Sequence, residues 1–185
     1  MTPIEQLSQI IPALNELVGR IRYVQLQDPT PCAEFTVHDV LDHMMLLGGT
    51  FAPLFRGETP TAVKVPVVYG WVPAEEFTAT MNDLLCAVHS PGALDRTIAG
   101  PFGEVDGDTF ARFVAFDGLI HGWDLATATG QPWAPPLDVT SAVDAFARQA
   151  VSPAMRDGVT FKEPTEEPVA GTPLELLVAF SGRAV

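Results

Sequence analysis

Asp117 and His121 lie four residues apart in a stretch, Thr109 to Leu125, that is otherwise almost wholly apolar. In a helix, residues i and i+4 project from one face, so this carboxylate and imidazole could share one metal ion. An aspartate placed on an apolar face without a partner costs several kcal/mol, about 2–7 on transfer scales, so it needs a cation or several donors. Spacing alone leaves two readings: half of a metal site, or an Asp–His hydrogen-bonded pair that orders the core. His43 is a second inward histidine, on the stripe Val40, His43, Met44, Leu47, Phe51 and Leu54 of another helix. By itself a lone histidine on an apolar stripe reads as a satisfied core residue, but bundle metal sites are built from side chains on facing helices, so His43 is also a candidate third ligand. Asp124, one turn beyond His121, reads as an acceptor or base for the site, or as a partner of a nearby arginine.

The helices that must position these groups are legible from period and caps. A first helix begins at Thr2 or Pro3, with Leu7, Ile10, Ile11, Leu14, Leu17 and Val18 inward and Pro12 as an expected kink or break. A second spans Thr36 to Phe55, with Thr36 and Asp39 as a reciprocal cap. A third runs from Pro73 to His89, carrying Phe77, Met81, Leu84, Leu85 and Val88. The fourth, capped by Asp108 after the turn-dense approach 100–108 and ended by Gly130, is apolar nearly all round, so it is central or covered. A fifth is expected from Val139 to Met155, and a last one at Thr172-Pro173-Leu174-Glu175. Residues 56–72 read as an extended excursion, and 162–171 as a linker over the surface. The expected architecture is one all-α domain over residues 1–185.

Composition bounds the function. Among the 185 residues, 47% are hydrophobic and 18% charged, a globular profile. With 23 acidic against 10 basic residues the formal net charge is −13, and no Lys/Arg stripe could track a phosphate backbone. Nucleic acid and anionic membranes are therefore not expected partners. Cys32 and Cys86 are too few for a disulfide framework or a cysteine-rich zinc site. The start lacks a signal-peptide pattern and no segment has a membrane-span run, so a cytoplasmic protein is expected. Walker A, dinucleotide and Gly-x-Ser-x-Gly patterns are absent. Among the remaining polar groups, Cys32 is either a reactive loop thiol or an inert buried one, Arg112 reads as a solvated charge, Trp123 as packing, and His38 and His89 as exposed or terminal residues.

Three segments carry a resemblance: residues 30–44, from Thr30-Pro31-Cys32 to His43-Met44; residues 117–130, with His121-Gly122-Trp123-Asp124-Leu125-Ala126; and residues 172–183, ending Ser181-Gly182-Arg183. The chain resembles actinobacterial metal-binding proteins related to the N-terminal domain of mycothiol-dependent maleylpyruvate isomerase, in the DinB/YfiT-like superfamily. That resemblance implies an up-down-down-up four-helix bundle with extra short helices, and His43, Asp117 and His121 as ligands of a divalent metal, zinc or else nickel. It also implies a low-molecular-weight thiol such as mycothiol as cosubstrate, activated at the open fourth position for transfer or isomerisation of a small molecule. Relatives carry His or Glu where Asp117 stands, so the shorter side chain raises the question of reach. Phe35 replaces a common Trp, which reads as a packing change. The alternative function is a non-catalytic metal-binding bundle, or one that forms a homodimer through the apolar far side of the fourth helix.

Overall fold

A computed structural model describes residues 1–60, 73–100, 103–158 and 161–185. The expected excursion over 56–72 therefore falls largely outside the described residues. Helix α1 spans Pro3–Val18, α2 Val37–Arg56, α3 Ala74–Val88, α4 Gly107–Thr129, α5 Leu137–Ala150 and α6 Pro173–Phe180. A two-stranded antiparallel hairpin, β1 Thr97–Gly100 and β2 Gly103–Asp106, precedes α4. Helices α2 and α6 start with the expected reciprocal caps, Thr36 with Asp39 and Thr172 with Glu175, and α1 has one too, from Thr2 and Glu5.

Side-chain pairings give the direction of each helix. Ser8 meets His89 and Asn15 meets Asn82, so α1 and α3 run antiparallel. The Arg112 guanidinium donates to the Met1 carbonyl and the Gln131 amide to the Leu17 carbonyl, so α1 and α4 run parallel. Gly48 lies against Thr80 and Met81, and Arg56 grips Asp83, which sets α2 parallel to α3. His43 approaches Asp117 and His121 while Phe51 and Phe55 pack on Phe110, so α2 and α4 are antiparallel. The arrangement is up-down-down-up. The facing of α2 and α4 in opposite senses brings the first half of one helix beside the second half of the other, where the polar residues sit.

Several local expectations are corrected. Pro12 neither breaks nor ends α1, which runs through it, and its ring lies on the exposed face. The cap of α4 is Asp106, whose carboxylate accepts from the Thr109 amide at 2.7 Å; Asp108 instead receives the Arg112 guanidinium at 2.6 Å, so Arg112 is paired. The residues read as a turn-dense approach hold β2 and the last residue of β1, and Ile98 pins the hairpin in the core. Helix α5 begins at Leu137 and stops at Ala150, two residues before Ser152-Pro153, because the residue preceding a proline is driven out of the helical region. Leu54 and Leu85, expected inward, are half-buried; Leu41, Met45, Ala52 and Phe55 give α2 a second buried stripe instead.

Helix α4 is central, as its all-round apolarity predicts: Phe110, Phe113, Phe116, Leu119, Ile120 and Leu125 are all buried. Its far side, the expected dimer face, is covered by the chain itself. There Trp133 donates to the Leu119 carbonyl while lying across Gly122, and Phe116, Leu119 and Ile120 are buried; on the side of Asp117 and His121, Phe146 of α5 meets Phe113 at 5.1 Å between centroids. A Cβ on Gly122 would come within 2.3 Å of the Trp133 ring. We expect Gly122→Ala to cost about 1–3 kcal/mol through forced repacking, read as a lower denaturant midpoint with an unchanged slope. Retained stability would show that Trp133 does not seal this face.

Candidate metal centre

Asp117 and His121 project from one face of α4, and His43 reaches them from α2. The Asp117 Oδ1 lies 3.4 Å from His121 Nε2 and 3.7 Å from His43 Nε2, and the two imidazole centroids are 4.9 Å apart. Neither Asp117 separation is a hydrogen-bond length. Arms of 2.0–2.2 Å place neighbouring ligands of a tetrahedral ion about 3.3–3.6 Å from one another; the His121 separation falls inside that range and the His43 separation lies just beyond it. The three ligand atoms lie within 4.8 Å of one another, a group that could hold a metal ion. The Asp117 carboxylate, one methylene shorter than that of glutamate, lies within 4.8 Å of a nitrogen of each histidine.

Asp124 is fully buried and realises both readings at once. Its Oδ2 accepts from His121 Nδ1 at 3.1 Å and from Arg183 Nη2 at 3.0 Å. Because a carboxylate only accepts, Nδ1 must carry the proton, which leaves the Nε2 of neutral His121 as a lone pair aimed at Asp117 and His43. Such carboxylate–histidine pairs orient metal ligands and raise their basicity. Burial by itself would raise the Asp117 carboxyl, but the imidazoles of His121 and His43 hold it well below the usual carboxylate range. Burial likewise opposes charge on His121, yet Asp117 and then Asp124 push it up to about 9.

Arg183 was not singled out by sequence reasoning. Its position depends on the end of α6: Gly182 takes φ +88, and a Cβ there would meet the Lys162 side chain at 2.6 Å and the Glu163 carbonyl at 2.9 Å. This turn, with the Thr165 hydroxyl donating to the Arg183 carbonyl at 2.6 Å, sends the guanidinium back across the bundle to Asp124. The contact joins residues 59 positions apart, and no local period announces it.

The three candidate ligand residues line a cavity of about 390 Å³. Six of the chain's 11 phenylalanines line it: Phe35, Phe51, Phe110, Phe113, Phe116 and Phe161. Phe35 packs edge-on against His43 at 6.0 Å, the packing role expected of it. Cys32 is on the same wall, half-buried and free, grouped with His121 and Asp124 within 4.8 Å. Burial raises its thiol, with Arg183 and Lys162 pulling the other way. This second group is the poorer metal site, because Asp124 is already occupied by two donors and Cys32 favours its protonated form. His38 and His89 sit elsewhere, with partners: His38 lies 3.5 Å from Asp42, and His89 is 3.3 Å from Ser8.

Comparison with known proteins agrees with this architecture. The profile of the mycothiol maleylpyruvate isomerase N-terminal domain family matches residues 7–89. Two relatives, each described as an uncharacterised protein from a strain of Mycobacterium tuberculosis, are 34% identical over 189 residues that cover all of both chains. The chain belongs to the mycothiol maleylpyruvate isomerase N-terminal domain family. No solved structure matches it at a significant level. The matched stretch contains His43 but ends before Asp117, so the grouping of all three ligand candidates rests on geometry. Among the described residues, no helix is long and apolar enough to cross a membrane.

Proposed function

We propose that the chain holds one divalent cation, zinc with nickel as the alternative, on His43 Nε2, Asp117 Oδ1 and His121 Nε2. A low-molecular-weight thiol of the mycothiol kind docks at the remaining position, to be used in transfer or isomerisation of a small molecule in the aromatic cavity. The observation that carries this reading is the convergence of three ligand atoms, 3.4 and 3.7 Å from a shared carboxylate oxygen, at the polar end of that cavity. Three protein ligands leave an open position, the mark of a catalytic rather than a structural site.

A cation bound there lowers the pKa of a thiol in the open position and so supplies a thiolate near neutral pH. The remaining work falls to the chain. Asp124 fixes the His121 tautomer and acts as a positioning residue, since it has no exposed surface and is held by two donors. The phenylalanine walls give the cavity a low-dielectric lining, in which charge interactions are stronger than in bulk water. Cys32, its thiol raised by burial, is not needed as the nucleophile.

Mycothiol titrated into the zinc-loaded chain is expected to bind with release of a proton near pH 7. S-methylated mycothiol, which has no thiol proton to lose, should bind about tenfold or more weakly, since it cannot present an anionic ligand. Equal binding of the two compounds, measured by calorimetry in buffers of different ionisation enthalpy, would remove the thiol from the cation and end this reading.

A further inference from the structure

The chain is strongly acidic, at −13, and contains two lysines, Lys64 and Lys162. Lys162 lines the cavity, directly after Phe161, which lines it as well. Among the described residues, no carboxylate lies within ion-pair distance of Lys162. The neighbouring cation, Arg183, is committed to Asp124 through both carboxylate oxygens, at 3.0 and 3.4 Å. A lysine among the lining residues of a pocket walled by six phenylalanines, in a chain with an excess of carboxylates, offers a cation to an anion from outside. Its charge, with that of Arg183, opposes the upward push of burial on the Cys32 thiol.

The rest of the wall specifies what the anion is attached to. Phe116 and Phe161 lie parallel, 5.9 Å between centroids at an interplanar angle of 5°, with Phe113 beside Phe161 at 6.4 Å. Flat aromatic faces of this kind select planar rings through offset stacking and edge contacts. The volume, about 390 Å³, falls in the range that encloses ligands larger than a small diacid, which would leave most of the phenylalanine surface unfilled. We infer that the small molecule taken beside the thiol is a ring-bearing monocarboxylate, its ring seated among Phe113, Phe116 and Phe161 and its carboxylate paired with Lys162. This rests on the reading of the cavity as the substrate site, and it holds whether or not the cation is zinc.

The probe is 2-naphthoate, titrated into the chain as purified and again after zinc loading, against 2-naphthalenemethanol as the neutral isostere and maleate as a diacid without rings. Naphthoate is expected to bind about tenfold or more tightly than either comparator in both states, as charge-assisted pairing and ring burial together require. Lys162→Met should lose the preference over the alcohol, and Lys162→Arg should keep it. Equal binding of naphthoate and the alcohol, equal binding of naphthoate and maleate, or an undiminished preference in Lys162→Met would each overturn the inference. A chain that takes up no zinc yet ranks the ligands this way would contradict the metal reading while upholding this one. Zinc uptake without the ranking would do the reverse.

Discussion

His121→Ala loses tight zinc binding: affinity falls by about a thousandfold, and added zinc no longer raises the melting temperature. The magnitude follows from ligand number. Structural zinc sites with four ligands bind with about 10–16 kcal/mol, so one strong ligand contributes roughly 3–4 kcal/mol, or two to three powers of ten. His121 stands at the upper end because it links two carboxylates, Asp117 at 3.4 Å from Nε2 and Asp124 at 3.1 Å from Nδ1. Its removal also deprives Asp117 of its nearer imidazole, leaving His43 at 3.7 Å. Zinc titration with a competing chelator, beside thermal melts with and without zinc, checks both parts, since a ligand that binds only the folded state must raise its melting point. Zinc stabilisation persisting in the variant would mean that another group holds the ion.

The second large effect lies outside the cavity's polar end. Arg183→Met leaves Asp124 buried with His121 as its one remaining donor. Breaking a buried ion pair by removing one partner costs about 3–5 kcal/mol, and Arg183 retains 15% side-chain exposure, so we expect the lower end, about 3 kcal/mol. For a chain of this size that is a fall in melting temperature of roughly 6–12 °C. The double substitution Asp124→Leu with Arg183→Met should recover most of the loss, because replacing both members of a buried pair by apolar groups is often neutral. It should not recover metal affinity, which drops about 10–100-fold when a ligand histidine loses its carboxylate partner. A double variant as unstable as the single one would show that Arg183 acts through Ser181 and the α6 terminus, and not through Asp124.

These two predictions differ in how far the sequence foretells them. Asp117 and His121 announce themselves, because two polar residues at helical spacing on an apolar face demand an explanation. His43 follows from the inner stripe of α2, and the antiparallel facing of α2 and α4 turns three separate residues into one group. The caps of α2 and α6 are equally readable, since each is a local bargain between residues three apart. Arg183 is different: its contact with Asp124 depends on where α6 lies over α4 and on the turn at Gly182, neither of which has a short-range signature. The hairpin before α4 escapes for another reason. Strands of four residues are too short to show a period of two, so only their turn residues stand out. Pro12 sits inside α1 on its exposed face, where the packing of Leu7, Ile10, Ile11 and Leu14 holds the helix through it.

Cys32 is the residue whose placement most changes the choice between sites. It comes from the loop before α2, yet it stands on the cavity wall within reach of His121 and Asp124. Two overlapping groups therefore share His121, one with His43 and Asp117, the other with Cys32 and Asp124, and they differ in the element that binds the ion. X-ray absorption at the zinc edge of the chain loaded with one equivalent of zinc separates them directly. We expect a first shell of nitrogen and oxygen alone at about 2.0–2.1 Å, unchanged in Cys32→Ser. A sulfur neighbour at about 2.3 Å, or a chain that takes up no zinc, would contradict the assignment of His43, Asp117 and His121 as the metal ligands.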